Sequence, residues 1–451
     1  MWIERTWSPG SPGSPGSLAS LALLVAVAAC GPATPSPDAP GTSSAAQATA
    51  DQKVDPNTGP NTGPSTGPGG DPVSGPGEEP PASSPGDEDE EEVIDLEAIR
   101  IEVVGRDAEG EPTLDAYDAR SLLDQGNDAI AEERHDDAIA AYEKLLDAFP
   151  DSRLAPAAIY NFGLALEGKG DYDGAIARYR VLATRTDAGR DSIDAHVRIA
   201  AVQAELERFA QSEETLVAVL ARRDLTHGDR IEAMARLGYA YLEQDDLDGA
   251  ERMLEDAIAY FRKLTTTLDT NYYVAMSFYY RAQVSHRRFR AMPLRLPEEQ
   301  LKKDYIAKRE RLEQTYDRYR EALQIQNAYW ATASGYQMSQ IYKEFWDDTV
   351  LAPLPARLSS EARELHAVEI HRLARQFLEQ AMNGHRTNVE LAAAYKTTTV
   401  WSEASRVRAA EVAEVLARES SGELVIPERK PASLSSLPSE ATEYVPGRID
   451  L

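Results

Sequence analysis

One cysteine, Cys30, occurs in 451 residues, so no disulfide can form within the chain. Long apolar runs are missing too: no stretch reaches the roughly 18 to 20 residues that a bilayer-spanning helix needs. The longest uncharged apolar segment, residues 18–29, instead has the length of the hydrophobic part of an export signal. Positive charge is scarce beside negative, 47 Lys+Arg against 75 Asp+Glu, for a formal net charge of −28. A field of that sign disfavours nucleic acid and anionic lipid headgroups as general partners. Recognisable chemistry is scarce as well. The sequence has no Gly-rich phosphate loop and no nucleophile-elbow motif, and the spacing of His366 and His371 puts them about 140° apart round a helix. The residues point to no catalytic group, no metal site and no cofactor.

What is present begins with the address. Residues 1–29 read as a signal peptide: Glu4 and Arg5, a Ser-Pro-Gly spacer, then the apolar run that ends at Cys30. Val27-Ala28-Ala29-Cys30 resembles the lipobox of bacterial lipoproteins, with an aliphatic residue, two small residues and the thiol. That resemblance implies cleavage before Cys30 and lipidation of its sulfur, with several acyl chains holding the mature protein on a membrane. Gly31 follows, without the aspartate that retains some lipoproteins at the inner membrane, so the expected location is the outer membrane, facing the periplasm.

Residues 30–92 are expected to be a disordered tether. They are rich in Pro, Gly, Ser and Thr, repeat Asn57-Thr58-Gly59-Pro60 as Asn61-Thr62-Gly63-Pro64 and Ser65-Thr66-Gly67-Pro68, and close on an acidic run. Such composition buries too little apolar surface to offset ordering entropy. As a coil it spans roughly 45 Å, and about 190 Å if drawn out as polyproline II. Residues 93–113 read as a short connecting segment.

From residue 114 the pattern changes to alanine-rich amphipathic helices. A small residue is followed 12 positions later by another, and 4 later by a bulky one: Gly126/Ala138/Tyr142, Gly163/Ala175/Tyr179, Ala200/Ser212/Leu216 and Gly238/Ala250/Leu254. The sets step by 37, 37 and 38 residues, which marks an internal repeat. The spacing suits two antiparallel helices that approach closely at small residues while the bulky one fills the space beside them. With Phe162-Gly163, Asp171-Tyr172, Leu237-Gly238 and the closing Phe149-Pro150, these units resemble tetratricopeptide repeats. The fold expected is an all-α solenoid, with about four repeats over residues 114–265 and further helical hairpins over 266–420. A loose tail is expected over 421–451.

Tyr142 to Ser152, Ala158 to Gly163 and Gly170-Asp171-Tyr172 also resemble the repeats of periplasmic outer-membrane-assembly lipoproteins and of the Tol-Pal-associated repeat protein. The C-terminal half, with its aromatic-rich helix, charged helix and Pro-x-Pro, resembles repeat lipoproteins of myxobacterial gliding machines. There the pattern suggests a helix over 271–290, one long charged helix from 298 to 330 continuing past a kink near Gly335, and two helices over 358–383 and 387–418. Asn383-Gly384 would stop the first of these two. The aromatics Tyr329, Trp330, Tyr336, Tyr342, Phe345 and Trp346 read as core. Residues 281–320 carry 12 Lys/Arg and 6 Asp/Glu, read as a helix with i,i+4 pairs on its solvated face, or else as a docking surface for an acidic partner.

Aligning the units turns Asn127, Ile130, Tyr160, Leu164, Glu167, Val197, Ala201, Ala235 and Tyr239 toward a groove suited to a moderately apolar peptide, or else into inter-repeat packing. The function expected is a non-enzymatic, membrane-anchored scaffold that binds envelope proteins or their peptide segments. It would serve outer-membrane protein assembly, Tol-Pal coordination or gliding motility, with its oligomeric state left open. The alternative is an envelope enzyme acting on peptidoglycan, with the solenoid as its positioning domain.

Overall fold

The computed structural model describes residues 98–428. Among them are a β-hairpin, β1 (Arg100–Arg106) and β2 (Pro112–Tyr117), and thirteen helices. These are α1 (Ala119–Ala131), α2 (His135–Ala148), α3 (Ala155–Gly168), α4 (Tyr172–Thr184), α5 (Asp191–Glu205), α6 (Phe209–Leu220) and α7 (His227–Glu243). They continue as α8 (Leu247–Lys263), α9 (Tyr272–Ala291), α10 (Glu298–Leu323), α11 (Ala328–Val350), α12 (Ser360–Ala394) and α13 (Val400–Ser420). The signal peptide, Cys30, the whole tether, residues 93–97 and most of the C-terminal tail lie outside the described residues.

Each helix packs on the next, and the odd-numbered helices also touch one another in succession from α1 to α13. That is the contact pattern of a solenoid, with six antiparallel pairs and α13 as a closing helix. It continues through the C-terminal half, where the sequence repeat itself fades.

The small residues of the repeat sit where the helices of one pair meet. A Cβ added at Gly126, Gly163 or Gly238 would lie 2.3, 2.4 or 2.5 Å from Tyr142, Tyr179 or Leu254 respectively, so only hydrogen fits there. In the third unit Ser212 caps the contact differently, its hydroxyl donating to the Ala200 carbonyl at 2.8 Å. Ala138, Ala175 and Ala250 are fully buried on the opposing helices, beside Tyr142, Tyr179 and Leu254. The turns between paired helices also keep register: Glu133, Gly170, Glu207 and Asp245 all take a left-handed φ, of 59°, 78°, 56° and 60°. That conformation ends one helix in a single residue and sends the chain back antiparallel.

Four features depart from the sequence reading. Residues 100–117 form an antiparallel hairpin with a bulge between Val103 and Gly105, where a connecting segment to residue 113 and then the first repeat helix are expected. The long charged helix is two helices: α10 ends at Leu323, and Gln326, at φ 61°, turns the chain into α11 without any proline or glycine. Gly335 interrupts no helix and Asn383-Gly384 is no stop: both glycines lie inside unbroken helices where α11 crosses α12. A Cβ at Gly335 would strike Asn388, and one at Gly384 would strike Ser339. The chain leaves α12 only at Lys396, φ 54°.

The fourth departure concerns residues 281–320. Many of their cations point inward, to carboxylates on neighbouring helices, rather than lining a solvated face. Arg287 pairs with Glu243 at 2.6 Å, Arg281 with Glu321 at 3.0 Å, and Lys308 with Asp348 at 2.8 Å. Lys308 is almost fully buried and also donates to the carbonyls of Phe289 and Met292 at 3.0 and 2.7 Å, holding the last turn of α9. The two i,i+4 and i,i+3 pairs within α10, Arg309–Glu313 and Arg320–Asp317, are the smaller part of the pattern. Four of the six aromatics read as core are core: Trp330 and Tyr336 join the cluster around Tyr279, and Phe345 and Trp346 centre the next one, while Tyr329 and Tyr342 are half-buried against them.

Candidate partner-binding face

The odd-numbered helices of the repeats carry a succession of polar contacts from one unit to the next. In the first step the Asn127 carboxamide oxygen accepts from Tyr142 Oη and from Asn161 Nδ2, both at 2.8 Å. One unit on, Arg198 grips Glu167 with two bonds of 2.7 and 2.6 Å, and Tyr179 Oη donates to the same carboxylate at 2.6 Å. Both side chains of that ion pair are nearly buried, 11% and 12% exposed, so it is shielded from competing water. Next, Arg236 donates to Glu232 at 2.8 Å and to Tyr273 Oη at 2.9 Å. Beyond it, Arg287 binds Glu243 and the Leu242 carbonyl. These contacts fix each unit's orientation against the next.

Between them stand aromatic rings. Tyr160 packs at 5.5 Å from Tyr179, and Tyr239 lies 5.9 Å from Phe209 and 4.7 Å from Tyr280. Burial pushes the Tyr160 phenol up to about 12, so it stays a neutral hydrogen-bonding group at any physiological pH.

The sequence-predicted groove residues divide into three sets. Tyr160, Leu164, Ala201 and Tyr239 are half-buried and keep surface toward solvent, while Asn127 is exposed. Glu167 is half-buried and committed to Arg198 and Tyr179. Val197 and Ala235 are buried in hydrophobic clusters and Ile130 packs against another, so these three serve inter-repeat packing. The face is therefore more polar than an apolar peptide groove, because its charges are present but paired.

The residues missed are Arg198, Arg236, Asp194 and Tyr273. A usable signal existed: Arg198 recurs as Arg236, and Glu167 recurs as Glu205 and Glu243, at intervals of 38 residues each. A charge that repeats at the unit step belongs to the unit's own architecture.

Asp194 stands apart because the charge around it is mostly of its own sign. Burial raises its carboxyl to about 6, and Asp229, Glu232 and Asp191 add to that while Arg190 opposes it. The folded state thus holds this proton more tightly than the unfolded chain, whose carboxyl titrates near 3.8. The stability tied to this proton is complete below that lower value and is lost as pH rises through 6. Asp194→Asn should therefore gain melting temperature over wild type at about pH 8, with the gain shrinking toward about pH 5. A difference independent of pH, read by thermal scans at both, would refute this account of the site.

Among the described residues no cluster of His, Cys, Asp and Glu could hold a metal, and no helix is long and apolar enough to cross a membrane. His371 instead bonds Glu419 at 2.6 Å, and His366 is buried alone.

Comparison with known proteins agrees with the repeat geometry. Residues 123–191 match one tetratricopeptide repeat model and residues 230–264 another. A stretch of 128 residues is 32% identical to alpha-soluble NSF attachment protein of Dictyostelium discoideum, covering 26% of this chain and 44% of that protein. The chain thus spans less than half the length of this curated relative. Among solved structures, a tetratricopeptide-repeat protein of Parabacteroides merdae is 11% identical with a TM-score of 0.32, covering 65% of this chain and 98% of its own. The C-terminal part of a repeat-containing protein of Cytophaga hutchinsonii is 10% identical with a TM-score of 0.36, covering 65% and 95%. MamA of Desulfovibrio magneticus is 15% identical with a TM-score of 0.31, covering 45% and 96%.

Proposed function

We propose that this tetratricopeptide-repeat chain is a non-enzymatic scaffold of a bacterial cell envelope, held to the outer membrane by a lipid on Cys30. Tetratricopeptide repeats are protein-interaction modules, and the observation that carries the reading is the face of α1, α3, α5 and α7. The Arg198–Glu167 pair and the Arg236 hydrogen bond to Tyr273 fix the units relative to one another and leave Tyr160, Leu164, Ala201 and Tyr239 partly open. A partner segment laid across them would bury aromatic surface and meet polar groups already oriented by the protein. A curated relative is named as an attachment protein, which fits a scaffold role. Cys30 behind an apolar run supports the anchor, and the Pro- and Gly-rich segment after it supports a spacer. The systems such a scaffold would serve are outer-membrane protein assembly, Tol-Pal coordination or gliding motility.

Crosslinking in native membranes tests both halves of the proposal. Wild type should capture a defined envelope protein, and Tyr160→Ala combined with Tyr239→Ala should lose it. Cys30→Ser should move the chain to the soluble fraction or leave it unprocessed. Capture that survives the double substitution would remove the face from consideration. Unchanged membrane attachment of the serine variant would remove the anchor, and cell-wall hydrolysis without any partner would remove the scaffold reading.

A further inference from the structure

The β1–β2 hairpin is inside out. Strand pairing puts Arg100, Glu102, Asp115 and Tyr117 on one face and Ile101, Val103, Leu114 and Ala116 on the other. The polar face is the one docked on the solenoid. Lys144 of α2 reaches Glu102 at 3.2 Å and sits 3.6 Å over the Tyr117 ring, Arg100 donates to the Ala148 carbonyl at 3.1 Å, and Tyr117 meets Phe149 edge-on. The aliphatic face is open. Ile99 is 67% exposed, Ile101 and Val103 65% each, and Leu114 59%. A half-solvated antiparallel sheet ordinarily turns its polar face to water. Single exposed aliphatics are common on any surface, whereas a contiguous face of them marks an interaction site.

We propose that this face is a contact between two copies of the chain, the hairpins stacked aliphatic face to aliphatic face. Area and shape identify the occupant. Ile99, Ile101, Val103, Leu114 and Ala116 present on the order of 450 Å² per copy, so stacking buries at most on the order of 900 Å², the size of a weak, reversible interface. A face only two strands wide has no groove for a helix or a small molecule. An identical face matches it in length, width and apolarity through a two-fold axis, and packed sheets stand about 10 Å apart. Charge sets the orientation. Each hairpin tip carries Asp107, Glu109 and Glu111, all exposed, so the tips lie at opposite ends of the stack. The same acidic tip opposes an anionic lipid surface.

Sedimentation equilibrium of the full chain, up to about 100 µM, tests this. Wild type should show a monomer–dimer equilibrium. Ile101→Lys with Val103→Lys, both at exposed positions, should weaken it at least about tenfold with an unchanged circular dichroism spectrum. Val407→Lys, at an exposed aliphatic of α13, is the control and should leave it unchanged. A wild-type chain that stays monomeric, or a dimer indifferent to the double substitution, overturns the proposal. So does binding of a monomeric chain to phosphatidylcholine vesicles that the double substitution abolishes, which would assign the face to lipid.

Discussion

Arg198→Met should destabilise the α3–α5 region by about 3 to 5 kcal/mol, the cost of leaving one member of a buried ion pair without its partner. Glu167 is the group left behind. Its carboxylate keeps only the Tyr179 hydroxyl, at 2.6 Å, and its side chain is 12% exposed, so little water reaches it. The charge, not the lost packing, carries the penalty, since methionine retains much of the arginine's length. Removing the charge as well, with Glu167→Gln added to Arg198→Met, should recover a substantial part of the loss. Repeat stacks need not unfold in one step, so native-state hydrogen exchange in α3 and α5 is the better readout, with urea denaturation beside it. A single-variant loss below about 1 kcal/mol would mean that solvent serves Glu167 and that the pair does little to fix the units.

The second large effect is expected at Gly163. Alanine there would place a methyl carbon 2.4 Å from the Tyr179 ring, which is fully buried and hydrogen-bonded at its far end. The ring cannot swing aside without giving up Glu167, so α3 and α4 must separate. Overpacking of this kind costs about 1 to 3 kcal/mol, and the roughly 1 kcal/mol that alanine gains over glycine in helix propensity offsets part of it. A contact as close as 2.4 Å lies at the severe end of that range, so a net loss of about 1 to 2 kcal/mol is expected. Adding Tyr179→Leu recreates the small-and-bulky combination that the third unit uses, Ala200 with Leu216, and should restore part of the stability. If Gly163→Ala proves neutral or stabilising in thermal and denaturant unfolding, the close approach of the two helices is not what the repeat spacing encodes.

That spacing was legible because it records a steric requirement local to one unit. Gly163 and Tyr179 are 16 residues apart and touch, and the same interval recurs wherever two helices must meet as closely. The breaks of the C-terminal half were not legible, because tertiary contacts there override local propensity. Gln326 turns the chain although nothing in its type demands it, and Gly384 continues a helix it would ordinarily end, because Ser339 crosses at that point. The hairpin had a signal in the alternation from Ile99 to Val103, but its outward aliphatic face reverses the usual rule for what is buried. The charges of residues 281–320 were visible in number but not in direction, since the acids they meet come from helices up to several dozen residues away. For the candidate face, Tyr160 and Tyr239 follow from alignment of the units, while the roles of Arg198 and Arg236 depend on partners one helix pair away that a single charge does not reveal.

Packing only against near neighbours along the stack also decides how such a molecule fails. In a closed globule a defect is shared by the whole core. Here damage at α1 and α2 has no direct route to α11 and α12, whose aromatic and polar clusters are assembled from their own neighbours. The chain behaves as links in series: one can open while those beyond it stay shut, and its weakest interface sets the load that the whole can carry.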